Sequence, residues 1–248
     1  MTKNKEVTFL NSRMHTMSMA ESVALIHQNL VAGHFFQHVV VNVAKLVNMQ
    51  SDKTLYDSVQ ACDLINIDGQ GVVLGARMCG VDVPERVAGI DLFHQLLKMS
   101  EDNGFPIFLL GAKPDVLEQA QRNVKQQYPE LSIVGHHHGY FWDDEQAVVN
   151  KIKESGAKLL FVAITSPKKE NFINKWRDQL GVNFVMGVGG TFDVVSGNVK
   201  RAPAWMQRYG LEWLFRVIQE PRRMFLRYLV TNTKFIKYVV KEKLKVKA

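Results

Sequence analysis

The strongest constraint on folding is a rhythm in the first 200 residues, where short apolar runs recur between segments of helical periodicity. The run His38-Val39-Val40-Val41-Asn42 has the length and β-branched content of a buried strand. Comparable runs lie at 64–67, 106–110, 131–134, 158–163 and 183–186. Ser18-Met19-Ala20-Glu21 reads as a capping box that opens an amphipathic helix ending near Ala32. Further helical patterns lie near 71–79, 91–103, 114–127, 143–155 and 167–179. Strands that alternate with helices at this spacing pair in parallel and carry helices on both faces, which predicts a Rossmann-like α/β sheet. Such sheets bind ligands beyond the carboxyl ends of their strands. The loops after Ile67, Leu110, Ala163 and Met186 are therefore where chemistry is expected.

Charge divides the chain in two. Residues 201–248 hold twelve Lys or Arg and three Glu, whereas residues 1–200 hold nineteen basic and twenty-one acidic side chains. From Trp205 onward there is no strand signal, only helical segments broken at Pro221, with Trp213, Leu214, Val217, Phe225, Leu229, Phe235, Ile236 and Val239 interleaved with Arg and Lys. The expectation is a Rossmann-like catalytic domain over 1–200 and a basic amphipathic helical appendage over 201–248. On composition alone the appendage fits a membrane surface or a helical pair packed on the core with solvated charges. No run reaches the roughly 18 apolar residues of a membrane-spanning helix, and the polar opening MTKNKEVTFLNSRMHT lacks the apolar region of a secretory signal. Cys62 and Cys79 fit neither a CxxC nor a disulfide framework, so a cytoplasmic location is expected.

Several turns could carry chemistry. Asp68 follows a strand and begins Asp68-Gly69-Gln70-Gly71, where glycines let backbone amides approach a phosphate or sugar. Its carboxylate is either a general base or a cap on the next helix. Arg86, in the loop Glu85-Arg86-Val87-Ala88-Gly89-Ile90-Asp91, either clamps a diphosphate or pairs with Asp91 or Glu85 on the surface. Gly111 ends a strand before Lys113-Pro114, and Ser166-Pro167-Lys168-Lys169-Glu170 follows another. Gly187-Val188-Gly189-Gly190-Thr191-Phe192-Asp193 is a glycine-rich turn after the last strand. Arg216, Arg222, Arg223 and Arg227 are placed to meet lipid headgroups or a diphosphate. His136-His137-His138 is expected in a loop and is a poor metal site, because adjacent histidines do not converge on one ion.

In combination, INIDGQGVV, ERVAGIDLF, FLLGAKPDVLEQA, HGYF, SPKKENF, MGVGGTFDVVSGNVKRAP and GLEWLFRVIQEPRR resemble the WecG/TagA/CpsF family, glycosyltransferase family 26, in the family's own order. The resemblance implies an inverting, metal-independent transfer, without cofactor, of an N-acetylmannosamine-type sugar (N-acetylmannosaminuronic acid or N-acetylmannosamine). The donor would be a UDP-sugar and the acceptor undecaprenyl-diphospho-GlcNAc. The work would be done at the inner face of the bacterial inner membrane by a protein peripheral to that anionic surface, with no nucleic acid involved. It makes Asp68 the base, Arg86 a substrate-binding residue and Arg216 a neutraliser of departing UDP. Asn42, Gly69, Gly111, Lys169, Gly189, Gly190 and Asp193 are then donor-binding candidates, with Arg222, Arg223 and Arg227 at the membrane or acceptor diphosphate.

Two positions depart from the family pattern. Lys169 stands where a glutamine is usual, and the valine run 39–41 replaces a threonine-bearing strand end. A uronic acid donor would need a cation for its carboxylate, for which Lys45 and Lys169 are the candidates. Two other classes compete. A nucleotide-cofactor oxidoreductase would show a full dinucleotide fingerprint, of which the DGQG turn is only part. A nucleic-acid-binding protein would account for the basic tail but shows no accompanying motif.

Overall fold

The computed structural model describes residues 5–246, apart from the side chains of residues 223, 245 and 246. These residues form eight strands: β1 (Glu6–Phe9), β2 (Ser12–His15), β3 (Phe36–Val41), β4 (Leu64–Ile67), β5 (Ile107–Gly111), β6 (Ile133–His137), β7 (Leu159–Ala163) and β8 (Phe184–Gly187). They join in one sheet in the order β1-β2-β4-β3-β8-β7-β5-β6. Every neighbouring pair is parallel except β1–β2. The twelve helices are α1 (Met19–Ala32), α2 (Val43–Met49), α3 (Lys53–Gln60), α4 (Gln70–Met78), α5 (Gly89–Asn103), α6 (Pro114–Gln127), α7 (Glu145–Glu154), α8 (Lys168–Trp176), α9 (Thr191–Val195), α10 (Ala204–Arg208), α11 (Glu212–Gln219) and α12 (Pro221–Val246). This is the expected Rossmann-like α/β architecture.

Side-chain alternation along the central strands separates two cores. On β5, Ile107 and Leu109 pack with α1, α5, α6 and α9, whereas Phe108 and Leu110 pack with α7 and α8 on the opposite face. On β3, Val39 and Val41 join a third cluster with α2, α3 and α4. Strands buried on both faces are largely apolar, without polar alternation, and the polar exceptions His38 of β3 and Asn66 of β4 bond each other at 2.9 Å. Ser18 caps α1 as its sequence predicts, accepting from Glu21 N while the Glu21 carboxylate accepts from Ser18 N.

Three features differ from expectation. The hairpin β1–β2 turns through Leu10 and Asn11, both with positive φ (51° and 56°). That is the backbone of a type I′ turn, supplied without the usual glycine signal. The segment between β3 and β4 folds as α2 and α3. Finally, β6 runs to His137, so His136 and His137 are edge-strand residues paired with Leu109 and Leu110 rather than loop residues. Their side chains leave opposite faces of the strand and share no ligand geometry.

The C-terminal segment is not a loose tail. Phe235 and Val239 of α12 are only 6% and 4% exposed and pack in the cluster built by α2, α3 and α4. Gly75 of α4 makes this possible, because a Cβ there would lie 2.8 Å from the Phe235 ring. Met224, Thr231, Phe235 and Val239 form the inward stripe of α12, at the spacing of one helical face. Phe235→Ala should therefore destabilise the whole fold by about 3–5 kcal/mol and open the C-terminal half of α12 to trypsin. Thermal denaturation and limited proteolysis read both, and an unchanged melting temperature would mean that α12 is not part of the core.

Candidate active site

The site follows from where β3 sits. It pairs with β4 from His38 to Val41 but with β8 only as far as His38, opposite Met186. Beyond that register β3 and β8 part, and a crevice opens at their carboxyl ends, where connections leave in opposite directions. Asn42 ends β3 and caps α2, accepting from Lys45 N at 3.0 Å. Asp68 ends β4, its N–H donating to Val41 O at 2.8 Å. Gly69 follows with φ 107°, in the region favouring glycine, and a Cβ there would meet the Asn42 side chain at 3.7 Å. Gly69 also caps α4 without a side-chain bond; Val72 N donates to Gly69 O at 3.1 Å, and the amides of Gln70 and Gly71 at the helix start have no side-chain cap.

Asp68 does not cap α4. Its Oδ2 accepts from Gly89 N at 3.3 Å, at the first residue of α5. It is half-buried. Burial pushes its carboxyl above the usual range, Arg86 and the Gly89 N–H oppose the rise, Glu212 adds to it, and Arg216 opposes it. One acid thus lies within electrostatic reach of two arginines from separate segments and of a second acid. A carboxylate held above its ordinary pKa is a stronger base once ionised.

Arg86 pairs with neither Asp91 nor Glu85, the surface partners considered from sequence. Its Nη1 meets Glu212 Oε2 of α11. Glu85 instead accepts from Met19 N at 3.0 Å, and Asp91 forms a two-pronged pair with Arg201 at 2.7 Å on each prong. The C-terminal segment is therefore tied to the ERVAGID loop twice. It also covers the DGQG turn: Gly210, with φ 70°, lies so close to Gln70 that a Cβ would fall 2.5 Å from the glutamine Cβ. Sequence reasoning passed over Glu212. The signal was an acid and a base, Glu212 and Arg216, four residues apart in a helical pattern.

The remaining candidates separate. Gly189 (φ 55°) and Gly190 shape the turn between β8 and α9, with open space at Gly189. Asp193 lies half-buried in α9. Gly111 ends β5, where a Cβ would fall 2.4 Å from Ala163 O; its lack of a side chain is required by the approach of β7 whatever it binds. Of the valine run, Val39 and Val41 are core, and Val40 alone faces Gly89 beside Asp68. Arg216, Arg222 and Arg227 are exposed on α11 and α12, and the side chain of Arg223 lies outside the described residues.

Lys169 and Lys45 face inward. Both ammonium groups meet Glu170 Oε1, at 2.9 and 2.8 Å, and Lys45 also donates to Val40 O at 2.8 Å, the carbonyl freed where β3 leaves β8. All three side chains are at most 7% exposed. Gly187 makes room, since a Cβ there would strike the Lys169 stem at 2.4 Å. Neither lysine, so held, reaches out to a donor carboxylate. Burial alone would raise Glu170, but two cations outweigh it and hold its carboxyl at about 2. Burial and then Lys45 push Lys169 down to about 8, because one carboxylate must serve both ammonium groups.

Among the described residues no group of three or more His, Cys, Asp or Glu is arranged to hold a metal ion, and no helix is long and apolar enough to cross a membrane.

The triad sets a stability test. Glu170→Gln leaves two buried cations without an anion and should cost about 3–5 kcal/mol at neutral pH. Because the folded carboxyl lies below its ordinary value of 4.5, its contribution is present above 4.5 and is lost as pH falls through about 2. The sign reverses for Lys169, whose charge opposes folding below about 8. Lys169→Met should therefore match or exceed the wild type in melting temperature at pH 7, an advantage that shrinks as pH rises past 8. Melting curves from pH 3 to 10 decide this, and a strongly destabilised Lys169→Met protein would refute the surplus-charge account.

Comparison with known proteins identifies the family. The model of the glycosyl transferase WecG/TagA/CpsF family matches residues 7–248. The chain is 34% identical over 215 residues, 84% of its own length and 83% of the relative's, to the N-acetylglucosaminyldiphosphoundecaprenol N-acetyl-beta-D-mannosaminyltransferase of Bacillus subtilis (strain 168). With Asp68 of the DGQG turn, Arg86 of the ERVAG loop and α11 meeting at one crevice, the chain belongs to the glycosyl transferase WecG/TagA/CpsF family.

Proposed function

We propose that the protein transfers an N-acetylmannosamine-type sugar from UDP to the GlcNAc of a polyprenyl-diphosphate-linked acceptor, with inversion at the anomeric carbon. The observation that carries this reading is the gathering of Arg86, Arg216 and Glu212 around the half-buried Asp68. The Bacillus subtilis relative, named for this transfer, supports the choice of donor and acceptor. Asp68 takes the proton of the acceptor hydroxyl as its oxygen bonds to the anomeric carbon. The bond from that carbon to the diphosphate oxygen breaks, and UDP leaves with the electron pair. Arg86 and Arg216 meet the charge that develops on it, a role suited to guanidinium groups aimed at a diphosphate. In this scheme the two arginines supply the neutralising charge, and no step calls for a metal or another cofactor. The open amides at the start of α4 and the turn at Gly189 and Gly190 would face the donor, with Asn42 between them.

A membrane surface suits the acceptor, and α12 has the means to meet one. Besides its inward stripe it carries Phe225, Leu229, Ile236 and Val240 exposed along a second helical line, with Trp213, Leu214 and Ile218 exposed on α11. Arg222 and Arg227 stand exposed among them. Apolar side chains bordered by cations fit the headgroup layer of an anionic bilayer. We read the protein as peripheral to the inner face of the bacterial inner membrane, without a nucleic-acid partner.

UDP release with a short-chain lipid-diphospho-GlcNAc acceptor tests the reaction, offering UDP-ManNAc, UDP-ManNAcA and UDP-GlcNAc with EDTA present. One donor should turn over only when acceptor is added. Asp68→Asn should lower the rate about 10²–10⁴-fold, and Arg216→Ala about 10²–10³-fold. The wild-type rate should fall as pH drops through a value above the ordinary carboxylate range, because protonated Asp68 is no base. Full activity of Asp68→Asn would defeat the assignment. Vesicle cosedimentation tests the surface: Arg222→Glu/Arg227→Glu should weaken binding to anionic vesicles by at least about fivefold per residue, with no effect on neutral ones.

A further inference from the structure

Helix α11 raises a physical question. It has no fully buried residue, and its apolar packing is limited to partly buried Phe215 and Val217 and the contact of Trp213 with Tyr228. Yet it carries Arg216 to within electrostatic reach of Asp68. Two sets of polar contacts tie it to the preceding chain. At one end Glu212 meets the Arg86 guanidinium, in a pair whose side chains are 16% and 29% exposed. At the other, Gln219 bonds Lys200 twice: Lys200 N donates to Gln219 Oε1 at 3.2 Å, and Gln219 Nε2 donates to Lys200 O at 3.1 Å. The Glu212 tie alone ends on a residue beside Asp68. An acid at a helix start also complements the helix dipole, but that accounts neither for the choice of Arg86 as partner nor for Arg216 one turn further on.

We propose that Glu212 is a positioning residue: its carboxylate holds the Arg86 guanidinium beside Asp68 and fixes α11 so that Arg216 meets the same carboxylate. The charged groups facing Asp68 are then Arg86 from the ERVAG loop and Glu212 and Arg216 from α11, with Arg201 nearby and itself bound by Asp91. Glu212 acts on the base directly in two ways of the same sign. Its negative charge disfavours the Asp68 anion, and its grip keeps Arg86 from closing fully on Asp68. Its hold on Arg216 acts in the opposite sense. The Gln219–Lys200 pair still anchors α11 when Glu212 is replaced, so the direct effects set the sign. Removing it should therefore make Asp68 more acidic.

The kinetic part of this proposal rests on the transferase reading; the titration part does not. With ¹³C-carboxyl-labelled aspartate and Asp68→Asn to assign the resonance, NMR follows Asp68 in the full-length protein without donor or acceptor. Glu212→Gln should lower the Asp68 midpoint by about half a pH unit or more, and Glu212→Asp should restore most of the shift. Gln219→Ala, which loosens the other end of α11, should leave the midpoint near that of the wild type; a purely tethering role would make it resemble Glu212→Gln. In turnover, Glu212→Gln should lower kcat/KM about tenfold and carry its acid limb to lower pH. In an Arg86→Lys background the same change should cost much less, because Glu212 works through Arg86. An Asp68 midpoint unmoved by Glu212→Gln, or losses that simply add in the double variant, would overturn the proposal. A wild type that turns over no donor, with the titration shift intact, would instead count against the transferase reading alone.

Discussion

The early parting of β3 from β8 governs much of what surrounds the crevice. Had the two strands stayed paired to their ends, Val40 O would bond within the sheet, and no gap would separate Asn42 from the turn after β8. Because the pairing stops at His38 and Met186, that carbonyl is free and Lys45 takes it. Lys45 then needs an anion, which Glu170 provides, and Lys169 shares it. The triad thus fills the floor of the crevice with ion pairs, while Asn42, Asp68 and Gly69 stand at its rim. A buried ion cluster is weak evidence of stability, since desolvation offsets much of its attraction. Its geometry nevertheless fixes the ends of three strands relative to one another.

The crevice floor and the rim hold charge in opposite ways. On the floor two cations share one anion, with Glu170 Oε2 left buried and unpartnered, so positive charge is in surplus. At the rim, Asp68 and Glu212 stand against Arg86 and Arg216, and burial still holds Asp68 above its ordinary range. A carboxylate that resists ionisation costs stability at neutral pH, because the folded state must carry a charge it disfavours. In the proposed transfer, that cost is what would make the group a better base. Asp68 tolerates it because the Gly89 N–H and two guanidinium groups limit the penalty without removing it.

The fold was legible where burial dictates sequence. Runs such as 158–163 and 183–186 are apolar because both faces of β7 and β8 are covered, and the Ser18 box names the start of α1 outright. Elements governed by other forces were harder to see. The β1–β2 hairpin turns through Leu10 and Asn11 in a left-handed backbone that tertiary context enforces and local propensity does not announce. Within 131–138, polar histidines hid the continuation of an edge strand whose side chains are only half-buried. Of the site, Asp68, Arg86 and Arg216 were named through motifs, and their meeting could not be read from spacing. Arg86 and Glu212 lie 126 positions apart, and only the folded chain joins them. Lys169 departs from the family pattern and reads as a donor contact, but here it turns inward onto the buried acid that follows it directly.

The C-terminal segment shows why a boundary drawn on charge differs from one drawn on packing. Its basic residues mark it off sharply at about residue 200, yet Phe235 and Val239 belong to the same cluster as Val39 and Val41 of the central strand. A helix that carries two apolar lines needs two partners. The core supplies one, through the gap left by Gly75, and the second line remains exposed. The same helix is therefore anchored well enough to hold α11 in place and still open to a surface. Helix α11, which has no fully buried residue, leans on α12 through the contact of Trp213 with Tyr228. Arg86 and Glu212 form the joint between that short segment and the sheet end that carries Asp68.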